Sequence, residues 1–141
     1  MSDVIFTSTA TAKNGREGHV KSKDGLIDLN LVNPATNKKD KGSNPEQLFA
    51  AAYSACFDAA FNLMASKKGK QIESETTAKV NFCKDNDDGG NKLAVDMYIK
   101  VQGVSPEEAE ELAESAHQVC PYSKATRGNI EVELHPEAID T

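Results

Sequence analysis

The stretch from Asn44 to Lys68 constrains the fold more than any other part of this chain. It opens on Ser43-Asn44-Pro45-Glu46, which has the capping-box form, with serine at the cap and glutamate three residues on. Pro45 suits a first helical turn, and Gly69 is the expected stop. Between them the spacing predicts one long helix, apolar nearly all round. Only Ser54, Asp58, Asn62 and Ser66 interrupt it, repeating every fourth residue and so sharing one face. A helix this apolar is central rather than superficial, and the remaining chain has to cover it.

Strand signals flank that helix on both sides. Residues from about 4 to 32 read as a three-stranded meander, with turns at Asn14-Gly15 and Asp24-Gly25, where positive φ is tolerated. Ile27, Leu29 and Leu31 alternate with Asp28 and Asn30, as a half-buried strand should. Residues 33–43 read as a polar loop. After the helix, Thr76, Ala78, Val80 and Phe82 share one strand face, opposite Thr77, Lys79, Asn81 and Cys83. A turn over 85–90 leads to strict alternation at Leu93, Val95, Met97, Ile99 and Val101. Ser105-Pro106-Glu107-Glu108 is a second capping box, opening a helix with Ala109, Leu112, Ala113, Ala116, Val119 and Cys120 on one face. Ile130, Val132 and Leu134 mark a last strand. The order β-β-β-α-β-β-α-β is an α+β arrangement in a single domain over residues 1–141.

The formal net charge of −6 argues against nucleic acid as a partner. No stretch is read as reaching the ~18 apolar residues of a membrane helix. The start, Met1-Ser2-Asp3-Val4-Ile5-Phe6, lacks the form of a secretory signal. Three widely spaced cysteines point to a reducing cytoplasm rather than to a disulfide framework.

The cysteines are where chemistry concentrates. Cys56 lies within the long helix beside Ala52, Tyr53, Ala59 and Ala60. As residues alone, it is either a small buried hydrophobe or a reactive thiol. From a free pKa of ~8.5, only ~3% is thiolate at pH 7. Lowering it to ~6 takes roughly 3.4 kcal/mol of preferential stabilisation, the order of one or two charge-assisted hydrogen bonds. Arg16 and Arg127 are the two arginines, against fourteen lysines, and either is a candidate cation or a solvated surface charge. Cys120 falls at the end of the second helix, whose negative end makes it a poor first nucleophile but a reasonable second one. Pro121 is expected to stop that helix and free the segment to move. Cys83, on the polar side of its strand, reads as a bystander. His19, His117 and His135 show no metal-ligand spacing with the cysteines, so no metal is expected. A metal shared by His117 and Cys120 would rest on two ligands. Phosphate-binding loops and serine nucleophile elbows are not found.

The run Asn44-Pro45-Glu46-Gln47-Leu48-Phe49-Ala50-Ala51-Ala52-Tyr53-Ser54-Ala55-Cys56-Phe57 resembles the first cysteine motif of the organic hydroperoxide resistance (Ohr) family, within the OsmC-like superfamily. The run His117-Gln118-Val119-Cys120-Pro121-Tyr122-Ser123-Lys124-Ala125-Thr126-Arg127-Gly128-Asn129-Ile130 resembles its second, and Thr9 to Gly18 its N-terminal hairpin. The Cys-Pro-Tyr-Ser form is similar to the Ohr branch rather than to the broader OsmC branch. The resemblance implies an intertwined homodimer, with long central helices packed against two sheets. It implies a cysteine-based peroxidase that reduces organic hydroperoxides to alcohols. In that scheme Cys56 is the peroxidatic cysteine, Cys120 the resolving one, Arg16 the partner of the thiolate and Glu46 the carboxylate that orients the arginine. A Cys56 sulfenic acid and a Cys56–Cys120 disulfide follow, recycled by a dihydrolipoyl-type dithiol, with no bound cofactor.

Phe49, Tyr53 and Phe57, with Leu63, are candidates for an apolar substrate surface and equally for plain core. The alternative function is a redox sensor or lipid-binding module on the same fold. Glu46 and Cys56 lie ten residues apart, ~15 Å of rise on a straight helix. Either the helix breaks between them or Glu46 serves a site made with another segment or subunit.

Overall fold

A computed structural model of the chain describes residues 3–140; Met1, Ser2 and Thr141, which the expected 1–141 domain and the reading of the amino terminus include, lie outside the described residues. The chain forms two compact units that divide between Leu48 and Phe49.

The first unit carries the meander. Strands β1 (Ala10–Lys13), β2 (His19–Ser22) and β3 (Asp28–Asn30) pair antiparallel in chain order. They are shorter than expected, since residues 4–9 form no strand. Asn14 and Gly15 both take positive φ, 62° and 61°. The connection is longer than a two-residue turn, because a single 3-10 turn, Gly15–Glu17, follows before β2. Gly18 closes it under steric compulsion: a Cβ there would lie 1.7 Å from the Lys13 carbonyl oxygen. β3 forms, but its expected half-burial is not found. Ile27 and Leu29 are 43% and 37% exposed, and only Leu31 of the three is buried. Alternation marks a strand, but burial of one face needs a second layer against it, and alternation does not supply that layer.

Helix α1, Pro45–Lys67, runs unbroken through the division. Its start differs from the expected capping box. The Asn44 side chain, not Ser43, accepts the Gln47 N–H at 2.8 Å, and the Ser43 hydroxyl donates to Gln47 Oε1 at 2.7 Å. Glu46 is thereby left out of the cap. At the far end Gly69, at φ 69°, closes the helix as expected. Its N–H reaches Ser66 O at 3.0 Å, and Lys70 N–H reaches Ala65 O at 3.0 Å, a Schellman pair.

In the second unit, β4 (Glu73–Lys84) and β5 (Asn91–Gln102) pair antiparallel, and β6 (Val132–Ala138) pairs parallel to β5. The connection from β5 to β6 runs through α2 (Pro106–Val119) and α3 (Pro121–Thr126), the helical crossover that parallel pairing requires. Pro136 sits in β6, an edge strand, where a missing N–H is tolerated. The capping box of α2 forms as read, with Ser105 and Glu108 exchanging hydrogen bonds at 3.2 and 2.9 Å.

The core of this unit takes Tyr53, Phe57, Phe61 and Ala65 from α1, Val95, Met97, Ile99 and Val101 from β5, and Ala109, Leu112, Ala113 and Ala116 from α2. The polar stripe of α1 is used as well. The Asp58 carboxylate accepts from Ser74 Oγ and Thr76 Oγ1, both at 2.8 Å, tying the helix to β4. Phe82, at the far end of β4, is 53% exposed rather than packed with Ala78 and Val80. The expectation that no apolar stretch reaches membrane-spanning length is corrected: α1 holds an 18-residue stretch of mean hydropathy 1.3. Its Tyr53–Phe57–Phe61 face is a core face of the protein. Its other side is open within the chain, with Ala51, Ala55, Ala59 and Leu63 exposed.

Candidate active site

The second unit brings Cys56 and Cys120 together. Cys56 is half-buried on α1, and Cys120 is fully buried at the junction of α2 and α3. Their sulfurs are 3.4 Å apart. A disulfide needs about 2.05 Å, so the two stand as free thiols short of a bond. The local cause is Cys120-Pro121. A residue before proline is pushed out of the helical region, and Cys120 is extended at φ −61° and ψ 123°. It ends α2 through its N–H to Ala116 O at 2.8 Å, and Pro121 starts α3 in a new direction. Pro121 therefore does not release a free segment, as the sequence suggested; it begins a second helix.

That helix is pinned. Ser123 is fully buried, with its hydroxyl 2.8 Å from the Tyr53 hydroxyl and 2.9 Å from His117 Nδ1. The Tyr53 hydroxyl also lies 3.2 Å from Thr126 Oγ1. Arg127 Nη1 donates to the His117 carbonyl at 2.9 Å. This gives Arg127 a place at the α2 terminus. Burial lowers the pKa of His117, favouring the neutral ring, with Glu114 opposing and Arg127 reinforcing.

Burial pushes the Cys56 thiol up from its ordinary range. The Tyr122 backbone N–H, which hydrogen-bonds the sulfur, opposes this, and the neighbouring Cys120 adds to it. No cationic side chain is among these influences. Phe49, Tyr53 and Tyr122 form a triangle of tilted rings with centroids 5.6, 6.1 and 5.9 Å apart. Phe57 has no exposed surface and packs the core, which corrects its candidacy for a substrate surface. Tyr53 is likewise fully buried, with its hydroxyl engaged. Phe49 is half-buried and Tyr122 is 37% exposed.

The first unit brings Arg16 and Glu46 together. Arg16 stands in the 3-10 turn and Glu46 in the first turn of α1. Nη1 donates to Oε1 at 2.6 Å and Nη2 to Oε2 at 3.0 Å, a bidentate pair. Arg16 holds the Glu46 carboxyl below its usual range against the cost of burial, and Glu46 raises the arginine in turn. Because Asn44 caps the helix, Glu46 is free to do this. α1 does not break between Glu46 and Cys56, so the first of the two geometric alternatives fails.

Sequence reasoning missed Tyr122 as a neighbour of Cys56, and Ser123 and the His117 ring as hydrogen-bonded partners on either side of Cys120. Only the Cys-Pro-Tyr-Ser run hinted at them, and the Tyr53–Ser123 contact joins positions 70 apart. Among the described residues, Asp96, Glu133 and His135 place possible metal ligands within 4.8 Å of one another. Asp96 and His135 already pair there, at 3.0 Å.

The OsmC-like protein family model matches residues 38–135. Organic hydroperoxide resistance protein OhrA of Bacillus subtilis is 50% identical over 137 residues, 95% of this chain and 97% of the relative. The crystal structure of OhrB of Bacillus subtilis superposes with a TM-score of 0.92 at 43% identity, covering 95% of this chain and all of that one. An organic hydroperoxide resistance protein from Elizabethkingia anophelis gives 0.89 at 43% identity, covering 99% and 100%. The chain has the α+β fold of these proteins and belongs to the organic hydroperoxide resistance family of OsmC-like proteins.

Proposed function

We propose that this protein is a thiol peroxidase that reduces organic hydroperoxides to alcohols. The observation that carries the reading is the 3.4 Å approach of the Cys56 and Cys120 sulfurs. Relatives named organic hydroperoxide resistance proteins support the substrate class. The Cys56 thiolate attacks the terminal peroxide oxygen of ROOH. The O–O bond breaks, the RO⁻ group takes a proton and leaves as ROH, and Cys56 becomes a sulfenic acid. Cys120 then attacks the sulfenic sulfur, water leaves, and the Cys56–Cys120 disulfide forms. A dihydrolipoyl-type dithiol reduces it by thiol–disulfide exchange and is itself oxidised. No bound cofactor takes part, and the setting is the cytoplasm.

The thiolate needs a positive partner, because burial and Cys120 both push the Cys56 pKa upward. We assign this role to Arg16, oriented by Glu46. An unbroken α1 separates Glu46 from Cys56 by about 15 Å of rise, so the site is read as shared across an intertwined homodimer. In it the Arg16–Glu46 pair faces the partner's Cys56. Open apolar surface supports that assembly: Ala51, Ala55, Ala59 and Leu63 on α1, and Val4, Ile5, Phe6 and Leu26 in the first unit. Phe49 and Tyr122 offer an apolar rim that favours an organic R group over hydrogen peroxide, with Tyr53 behind them.

The test is a steady-state assay with cumene, fatty-acid and hydrogen peroxides, using dihydrolipoamide or thioredoxin as reductant. Many turnovers with the two organic peroxides and dihydrolipoamide are expected. One stoichiometric oxidation without turnover refutes the enzyme and favours a redox sensor.

A further inference from the structure

We infer that Tyr53, Ser123 and His117 form a positioning relay that holds the Cys120–Thr126 segment on α1 and so sets both contacts of the Cys56 sulfur. The inference deepens the peroxidase reading and rests on it for its catalytic meaning. Its geometry stands on the buried hydroxyl chain.

The segment from Cys120 to Thr126 contributes two groups to Cys56: the Cys120 sulfur at 3.4 Å and the Tyr122 N–H. Both hang on a helix of six residues, too short to hold itself in place. What fixes it is Ser123, the residue after Tyr122. Its buried hydroxyl bridges Tyr53 on α1 and His117 on α2, at 2.8 and 2.9 Å. Tyr53 stands three residues before Cys56 on the same helix, so the anchor and the thiol share one rigid element. The chain of bonds can run in one sense, Tyr53 O–H to Ser123 and Ser123 O–H to His117 Nδ1, while the Thr126 hydroxyl donates to the Ser123 carbonyl at 3.3 Å. Each buried hydroxyl is then satisfied, and a neutral His117 ends the chain as acceptor. Removing one hydroxyl leaves the others short of a partner in a fully buried place and loosens the segment. The relay touches neither peroxide nor sulfur; it acts by placing the groups that do.

The test uses Tyr53→Phe, which removes one oxygen and keeps the ring, beside Ser123→Ala. Closure of the Cys56–Cys120 disulfide is timed by mass spectrometry after addition of diamide, a diazene that takes two electrons and two protons from the thiols and becomes a hydrazine. The Cys56 titration is followed by thiolate absorbance in a Cys120→Ser background. Both variants should close about fivefold more slowly, and Tyr53→Phe should shift the Cys56 titration upward. Unchanged closure in Tyr53→Phe, or an unmoved titration, overturns the relay. Diamide closure does not depend on the substrate. A wild-type protein that turns over no peroxide would refute the peroxidase reading alone.

Discussion

The sulfurs of Cys56 and Cys120 stand 3.4 Å apart although 64 positions separate them in the chain. The approach comes from a long unbroken helix and a proline. α1 carries one thiol along the core of the second unit, and Cys120-Pro121 turns the chain from α2 into α3 so that the other faces it. Burial and the adjacent Cys120 disfavour the Cys56 thiolate, and the proposed chemistry asks for a cation to offset them.

The two thiols should separate by role. Cys56→Ser should abolish peroxide consumption. Cys120→Ser should consume one equivalent to give a sulfenic acid that is not recycled, and excess peroxide should drive it to sulfinic acid with a second. Mass spectrometry after a single addition checks both, and sustained turnover in either variant contradicts the assignment.

Arg16→Ala should raise the Cys56 titration by more than about one unit, worth ~1.4 kcal/mol. The sign follows from removing a cation that favours the charged form. Peroxide reactivity near neutral pH should fall with the thiolate fraction. Mixing Arg16→Ala chains with Cys56→Ser chains under exchange should restore part of the activity, since one of the two shared sites is then whole. An unchanged titration removes Arg16 from the mechanism, and failed complementation removes the shared site.

The start of α1 offers a stability test. Asn44→Ala should cost about 1 kcal/mol, because the Gln47 N–H loses its acceptor. Ser43→Ala should cost less, since Ser43 bonds a side chain rather than the helix backbone. Urea midpoints of the two variants check the order, and the reverse order would restore Ser43 as the cap.

Acid should loosen the α2 terminus in a defined window. Lys70, with the Ser105 cap, holds Glu108 at about 2, down from 4.5. A lowered folded pKa gives stability that is fully present above about pH 4.5 and is lost as pH falls toward 2. Lys70→Met should flatten that dependence, as read from thermal midpoints across the window. An identical slope in the variant counts against the pair.

Much of the fold was legible in local pattern. The limits of α1 and its glycine stop, the Ser105 box and the alternation of β5 are set by interactions within a few residues, and these survive in any context. The Cys56–Cys120 and Arg16–Glu46 pairings were legible only through family resemblance, because nothing local links positions 64 and 30 apart. Short-range competition misled in one place. Asn44 and Ser43 can both cap, and Asn44 took the Gln47 N–H, which left Glu46 for Arg16. At Pro121 a stop signal was read, where the proline also starts α3.

The sequence by itself determined the limits of α1, the Ser105 start of α2 and the alternation of β5, because caps, glycines and periodicity act over one or two turns; the arginine–carboxylate pair stood out only through the family resemblance. Only the tertiary structure decided that β6 lies parallel to β5, that Phe57 is core, and that Tyr53, Ser123 and His117 meet behind the thiols. Those outcomes depend on how distant elements pack and on which buried hydroxyls find partners, and no local spacing encodes that.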